Sequence, residues 1–340
     1  MAETKKPDRK KENAAEAKQP AQKKEKTTVV TFSGTGWGLL GHTLALLLSG
    51  ILVFIPLPLV TVGIRKWFYR NLAVTDSGKT VSFSFDGNPA DLLKYWIPSL
   101  ALLAVTGVSF YFAISGRFGG FLSFLLIVAS ILALLPQAWL WAAKRTYVVS
   151  HTKAMAGATP VAFAFSGKGT TALWHGLKML FSAFLAGLPM PWAVTGAVKW
   201  CLEATDITAE TAYRPAFSGK GVSLFWYGVG FAISPFFGFL ICPSLIRGLI
   251  SWAARYTNII GLERTIEFEF TGKTGRLFGY VYLLVGLAVL GTIVNFALGT
   301  AATSEAIRFG LVSLMFVFAL PFAAASFLRW CAQNLDVVKK

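Results

Sequence analysis

The sequence predicts a polytopic α-helical membrane protein built from five strand-turn-helical-hairpin repeats, with short cytoplasmic β-strands. Three observations favour this class. Apolar residues make up 55% of the 340 residues and charged residues 14%, against about 25% charged in an ordinary soluble domain. Uncharged runs cover 95–116, 118–143, 221–246 and 277–304, and about 20 apolar helical residues are enough to cross a membrane. A Phe-x-Gly word also recurs five times along the chain.

Residues 1–28 differ from the rest of the chain. They carry nine Lys or Arg and five Asp or Glu, and they lack the apolar run of a signal peptide. A polar segment with nothing to bury is expected to be a disordered tail. Because the tail is basic, it is expected on the cytoplasmic side, near anionic lipid. The net charge of +16 is explained by basic cytoplasmic loops, and no nucleic-acid-binding motif is present. The cysteines Cys201, Cys242 and Cys331 have no metal-site or disulfide spacing, so no metal or other cofactor is expected.

The recurring word marks the start of a longer repeat. Its Phe and Gly residues are Phe32 and Gly34, Phe85 and Gly87, Phe165 and Gly167, Phe217 and Gly219, and Phe270 and Gly272. Ten residues after each Phe stands an aromatic ring with a polar edge: His42, Tyr95, His175, Tyr227 and Tyr280. A second ring follows 35 residues after the Phe in three copies and 60 or 62 in the other two: Trp67, Trp200, Trp252, Trp330 and Tyr147. The predicted repeats are 29–80, 81–160, 161–212, 213–264 and 265–340, the second and fifth being long.

Each repeat has the same predicted local structure. In "TVSFSFDG" and "TIEFEFTG" apolar and polar residues alternate up to the glycine, and a period of two indicates a half-buried strand. Glycine then permits a turn that other residues resist, and an apolar helix follows. Because isolated strands are marginally stable, the five strands are expected to pair into one small sheet or ring.

Basic residues predict the topology of the repeats. Five, five, three and five Lys or Arg lie in the junctions 65–94, 144–178, 199–220 and 247–276, and an excess of positive charge favours the cytoplasmic side. The N- and C-termini and all junctions are therefore expected in the cytoplasm, with each repeat leaving and returning. The short repeats carry prolines in "FIPLPL", "GLPMPW" and "ICPSL", which predict hairpins with proline at the tip, re-entrant or lengthened at the interface. One kinked span per short repeat is the alternative.

The runs "RNLAVTDSGKTVSFSFDG" (70–87) and "ARYTNIIGLERTIEFEFTG" (254–272) resemble the repeat of the YjgN-like bacterial inner-membrane proteins, a family of unknown function. The resemblance covers about residues 29–340 and is looser at 144–165 and 199–217. It implies a multi-pass protein of the bacterial cytoplasmic membrane, and it brings no catalytic residue.

The sequence offers few candidate sites. Lys168, Lys220 and Lys273 follow the glycines and could hold anionic lipid headgroups or another anion, or could simply mark the positive side. The rings at His42, Tyr95, His175, Tyr227 and Tyr280, with Trp67, Trp200, Trp252 and Trp330, are interpreted as interfacial aromatics. No acid lies in the middle of a span and no nucleophile-base pairing is evident, so an enzyme is not expected.

Two hypotheses for function remain open. The first is a transporter or channel-like protein for a small solute, an ion or a lipid, with a path between hairpins arranged around an axis. The second is a non-catalytic scaffold or lipid-interacting protein whose cytoplasmic cap binds a protein partner. Membrane lipids are partners in both.

Overall fold

A closed β-barrel organises the molecule, as seen in a computed structural model that describes residues 28–52, 54–76, 78–115, 117, 119–262, 264–300 and 305–339. The predicted tail therefore lies outside the described residues, except for Thr28. The ten strands are β1 (Thr28–Phe32), β2 (Leu72–Asp76), β3 (Lys79–Phe85), β4 (Thr152–Ala156), β5 (Thr159–Phe165), β6 (Thr205–Thr208), β7 (Ala212–Phe217), β8 (Thr257–Gly261), β9 (Thr265–Phe270) and β10 (Leu335–Lys339). Each is antiparallel to its sequence neighbours, and β1 pairs with both β2 and β10.

The fold class expected from the sequence is wrong. A polytopic α-helical protein with five short strands was predicted, whereas the described residues form a closed ten-stranded antiparallel barrel together with ten helices. The additional strands are β2, β4, β6, β8 and β10, each of which follows a helix almost directly. These segments have only four or five residues, so their alternation is too brief to distinguish them from the end of the preceding helix.

The seam between the first and last strands is closed by several kinds of contact. Val29 is in register with Asp336, and Lys339 forms an ion pair with Asp76 across the intervening β1. The Thr28 hydroxyl, on a residue 2% exposed, donates to Asp76 at 2.7 Å. Covering this end of β1 protects a strand edge that could otherwise pair with another chain.

The ten helices form five pairs, each inserted between two strands. They are α1 (Gly36–Ile51), α2 (Leu57–Arg70), α3 (Pro89–Ile114), α4 (Gly120–Ser150), α5 (Gly169–Phe184), α6 (Met190–Glu203), α7 (Gly221–Ile233), α8 (Cys242–Tyr256), α9 (Thr274–Thr300) and α10 (Glu305–Gln333). Each helix packs against the helices before and after it, and α10 packs against α1. The helices therefore close a ring in the same order as the strands.

Every helical pair leaves and returns at the same end of the barrel. The residue after each odd-numbered strand donates its backbone N–H to the carbonyl that ends the returning helix: Ser33 to Asn71, Asp86 to His151, Ser166 to Ala204, Ser218 to Tyr256, and Thr271 to Asn334, at 2.8 to 3.1 Å. Because the odd-numbered strands all run in one direction, these five junctions lie on one rim, here called the helix rim. The strand turns at Gly78, Gly157, Glu210 and Leu262 lie on the opposite rim, the turn rim.

The helical pairs have two lengths. With a rise of about 1.5 Å per residue, the 13 to 16 residues of α1, α2, α5, α6, α7 and α8 reach about 20–24 Å. The 26 to 31 residues of α3, α4, α9 and α10 reach about 39–46 Å. A hydrocarbon layer is about 30 Å thick, so the three short pairs are too short to cross it.

Four segments are long and apolar enough to cross a membrane: Pro89–Ile114, Gly120–Ser150, Thr274–Leu298 and Gly310–Gln333. At most 17% of each segment's most apolar stretch is buried inside the molecule. Large exposed apolar surfaces on a folded chain indicate contact with another apolar phase. The helical part of the molecule is therefore compatible with a membrane protein.

Candidate functional site

The five Phe-x-Gly words lie on the helix rim and anchor the returning helices. Phe32, Phe85, Phe165, Phe217 and Phe270 are each at most 7% exposed. In four repeats the Phe ring meets the predicted Trp edge-on: Phe32 with Trp67, Phe165 with Trp200, Phe217 with Trp252, and Phe270 with Trp330, at centroid distances of 5.1–5.8 Å. In the second repeat the Tyr147 hydroxyl accepts from the Asn88 N–H and donates to the Asn88 carbonyl.

Space, rather than backbone conformation, explains the glycines of this word. None of the five has a left-handed φ, whereas the strand-turn glycines Gly78 and Gly157 do. A Cβ at Gly272 would stand 2.5 Å from the Phe270 ring and 2.7 Å from Trp330, closer than carbon atoms can approach. The turn role expected from the sequence is therefore replaced by a packing role.

The ring ten residues after each Phe packs against the returning helix. In the short pairs the ring faces a glycine. A Cβ added at Gly63 would stand 2.8 Å from His42, one at Gly196 would stand 3.6 Å from His175, and one at Gly248 would stand 2.8 Å from Tyr227. In the long pairs Tyr95 lies 6.3 Å from Tyr147 and Tyr280 lies 5.9 Å from Phe327, between ring centroids. These rings and the predicted Trp residues thus lie between helices, whereas Trp37, Trp174 and Trp226 are far more exposed.

The tips of the three short pairs share a structure that sequence reasoning missed. Seventeen residues after Phe32, Phe165 and Phe217 stand three buried serines, which are Ser49, Ser182 and Ser234. Each serine carbonyl accepts a backbone N–H five residues later, from Phe54, Gly187 and Phe239, at 2.6–2.9 Å. Left-handed φ angles at Phe54 (59°), Ala186 (52°) and Phe239 (63°) turn the chain there. The prolines predicted at the hairpin tips come after these turns. The recurring serine was the available signal.

The serines at these tips are bonded within the tip, while large apolar side chains nearby are exposed. Each serine hydroxyl donates to a carbonyl three or four residues earlier, which suits a backbone placed away from water. Large apolar side chains nevertheless stand exposed among the described residues of the tips, including Leu52, Phe54, Ile55, Phe184, Leu185, Leu188, Phe236, Phe237 and Leu240. The serine hydroxyls therefore bond within the tips, and the surface of the tips is apolar.

A cavity lies between the long second pair and the short third pair. Its volume is about 690 Å³, and it is lined by α3, α4, α5 and α6. The wall is mostly apolar and aromatic, with Trp96, Trp141 and Trp200, and its polar groups are few. Ser99 and Gln137 bond each other, whereas Lys144 lies 5.1 Å from the Trp96 ring centroid and His175 Nδ1 is buried without a hydrogen-bond partner among the described residues.

The lysines singled out from the sequence lie elsewhere. Lys168 and Lys220 precede the first residues of α5 and α7, and Lys273 precedes α9. All three are exposed and none lines the cavity. Among the described residues, no group of three or more His, Cys, Asp or Glu side chains could hold a metal ion.

Comparison of the chain with protein-family models, with curated proteins and with solved structures gives no match.

Proposed function

We propose that this protein is a multi-pass membrane protein of the transport type that binds and moves a lipid or a lipid-like amphipathic molecule. The observation that carries the proposal is the difference in reach between the short and long helical pairs. Near the helix rim all ten helices form a closed ring. Beyond about 24 Å only the four helices α3, α4, α9 and α10 continue.

A ring that is complete through only part of the hydrocarbon layer has lateral openings. One opening lies above the tip of α1 and α2, and a wider one lies above the two adjacent tips of α5–α6 and α7–α8. Apolar side chains such as Ile55, Leu188 and Phe236 border these openings, so acyl chains can enter. Entry from the side through apolar openings favours a lipid over a water-soluble ion, which makes lipid the better-supported cargo.

The cavity has the chemistry of an amphipathic site. Its volume of about 690 Å³ lies within the usual range for ligand pockets, about 300–1,000 Å³. Trp96, Trp141 and Trp200 would contact an apolar body, and Lys144 and His175 would meet a polar or anionic group. The cavity adjoins the short tip of α5 and α6, where a lipid could arrive from the bilayer.

The proposed location is the bacterial cytoplasmic membrane, with the barrel and both termini in the cytoplasm. The basic junctions support this orientation through the positive-inside bias, because they lie at the helix rim and in the barrel. The resemblance of 70–87 and 254–272 to the YjgN-like repeat supports the bacterial membrane. Membership of that family is part of the proposal.

Reconstitution of the full chain in liposomes tests the proposal. The readout is the rate at which a fluorescent phospholipid changes leaflets, measured by dithionite quenching. Gly176 lines the cavity and has open space at its Cβ position, so Gly176→Phe should fill the cavity and slow transfer several-fold. Gly228 holds the corresponding position in α7, also with open space and outside the cavity, so Gly228→Phe is the matched control.

A transfer rate equal to that of empty liposomes would refute the transport proposal. Equal rates in the two variants would refute the assignment of the cavity. The scaffold hypothesis predicts the first of these results, together with capture of lipid without transfer.

A further inference from the structure

Three cations gather where the first and second repeats meet, with no carboxylate paired to them among the described residues. Arg65 on α2 interacts electrostatically with Tyr69 and with Arg145 and Lys144, both on α4. The two helices meet here, because Val62 of α2 shares one core cluster with Tyr147 and Val148 of α4. The Arg65 guanidinium carbon is 5.9 Å from the centroid of the Phe85 ring. Two acids lie nearby, Asp86 and Asp91, and both interact electrostatically with Tyr147. Asp86 also forms an ion pair with Lys153, with 2.5 Å between Lys153 Nζ and Asp86 Oδ2.

The two arginines have unused donors. The Nε atoms of Arg65 and Arg145 are buried and have no hydrogen-bond partner among the described residues. A buried donor without an acceptor costs about 1–3 kcal/mol, and more when the group is charged. All three residues are half-buried, and like charges held together in partly buried positions add to this cost. An anion bound between the arginines would satisfy both the donors and the charge.

The cluster is specific to one sector of the ring. Arg65 and Arg145 both stand two residues before the ring that packs on the helix rim, Trp67 and Tyr147. The corresponding residues in the other repeats are Val198, Ile250 and Leu328. Leu328 and Ile250 pack into apolar clusters. If these arginines only placed positive charge near the membrane surface, an arginine would be expected at this position in every repeat. Arginine in two adjacent repeats alone therefore indicates a local site.

We infer that Arg65 and Arg145 bind a phosphate group, while Lys144, which lines the cavity, only adds positive charge nearby. Guanidinium groups match phosphate oxygens through paired N–H donors, and the rim position corresponds to the depth of lipid headgroups in the proposed orientation. The phosphate could belong to an anionic lipid or to a free phosphate ion. The site goes beyond the proposed function, because it does not require that lipid is moved or that the cavity is occupied.

Binding can be measured on the purified full chain in a neutral detergent. The readout is the thermal unfolding midpoint during titration with inorganic phosphate, with short-chain phosphatidic acid, or with potassium chloride at matched ionic strength. Arg65→Gln combined with Arg145→Gln should weaken phosphate binding about tenfold or more per arginine. Lys66→Gln combined with Lys199→Gln is the control, because these exposed lysines precede the corresponding rings by one residue.

Protection here means a rise in the unfolding midpoint. Protection by both inorganic phosphate and phosphatidic acid, lost in the arginine variant and kept in the lysine control, would support a site for the phosphate group itself. Protection by phosphatidic acid alone, with the same variant pattern, would support a lipid headgroup site. Absence of protection, or equal loss in both variants, would overturn the inference.

Two further measurements separate phosphate binding by the arginines from a structural role and from binding in the cavity. Without any anion, the arginine variant should unfold at the same temperature as the wild type or at a higher one, because it removes unpaired charge. A lower midpoint would assign the arginines a purely structural role and overturn the inference. Gly176→Phe should leave phosphate protection intact, whereas its loss would place the anion in the cavity and also overturn the inference.

Discussion

Adding a single methyl group at Gly272 tests the packing of the helix rim. The new Cβ would stand 2.5 Å from Phe270 Cζ and 2.7 Å from Trp330 Cζ2. Neither ring has room to withdraw, because Phe270 is 4% exposed and Trp330 is 2% exposed. Overpacking of this kind costs about 1–3 kcal/mol, and the reduced freedom of the unfolded chain returns about 0.4–1 kcal/mol. We therefore expect Gly272→Ala to lower the free energy of unfolding by about 1–2 kcal/mol.

The assay is denaturant unfolding of the purified protein, followed by tryptophan fluorescence. Gly275→Ala is the control, since a Cβ at Gly275, in the first turn of α9, meets nothing within 4 Å. Alanine there should leave stability unchanged or raise it by up to about 1 kcal/mol. In a double-mutant cycle, Trp330→Leu should relieve part of the effect of Gly272→Ala. Equal effects of the two glycine substitutions would refute the packing account.

Three further predictions concern the barrel and its rims. Tyr147→Phe should cost about 1–3 kcal/mol of unfolding free energy, because it leaves the Asn88 N–H without its 2.6 Å partner. Lys339→Ala should cost up to about 1 kcal/mol, since it removes a part-exposed ion pair across the seam. A hydrogen bond from Lys153 lowers the pKa of Asp86, so the contribution of Asp86 is full above the ordinary carboxyl pKa of 3.8 and is lost as pH falls through the lowered value. Asp86→Asn should remove this part of the acid dependence of the unfolding midpoint.

Tyr147→Phe and Lys339→Ala each have a control variant, and Asp86→Asn has an outcome that would contradict it. Tyr111→Phe, at a side chain that is 56% exposed, should leave the unfolding free energy within about 0.5 kcal/mol. Lys199→Ala should also have little effect, because its pair with Glu203 is long (3.9 Å) and exposed. If the acid dependence of Asp86→Asn matched that of the wild type, the ion pair would have no role in stability.

The sequence predicted the helical pairs better than it predicted the sheet. The Phe-x-Gly words and the prolines of the short tips carry strong local signals, and the structure has two helices around each tip. The five strands after the returning helices carry no such signal. "LAVTD" and "LDVVK" become strands because they find partners on both sides of a closed barrel, which is a long-range property.

The candidate sites were the least predictable part. The cavity combines side chains from the second and third repeats, such as Trp96 and Trp200, and no local pattern joins them. The arginines at 65 and 145 were visible as junction charges, but their proximity depends on how α2 and α4 pack. The serines of the tips did recur at a fixed spacing, so a search for a recurring polar residue would have found them.

The central claim is that all five helical pairs leave the barrel at one rim, so that the whole barrel lies on one side of the membrane. Single cysteines at Gly157, Glu210 and Leu262 on the turn rim, and at Arg117 between the long helices α3 and α4, test it most directly. The background replaces Cys201, Cys242 and Cys331, and labelling uses an impermeant maleimide on intact cells and on inverted vesicles. We predict that the three turn-rim positions react only in inverted vesicles and that position 117 reacts only in intact cells. Reaction of the turn-rim positions from different sides would contradict the account.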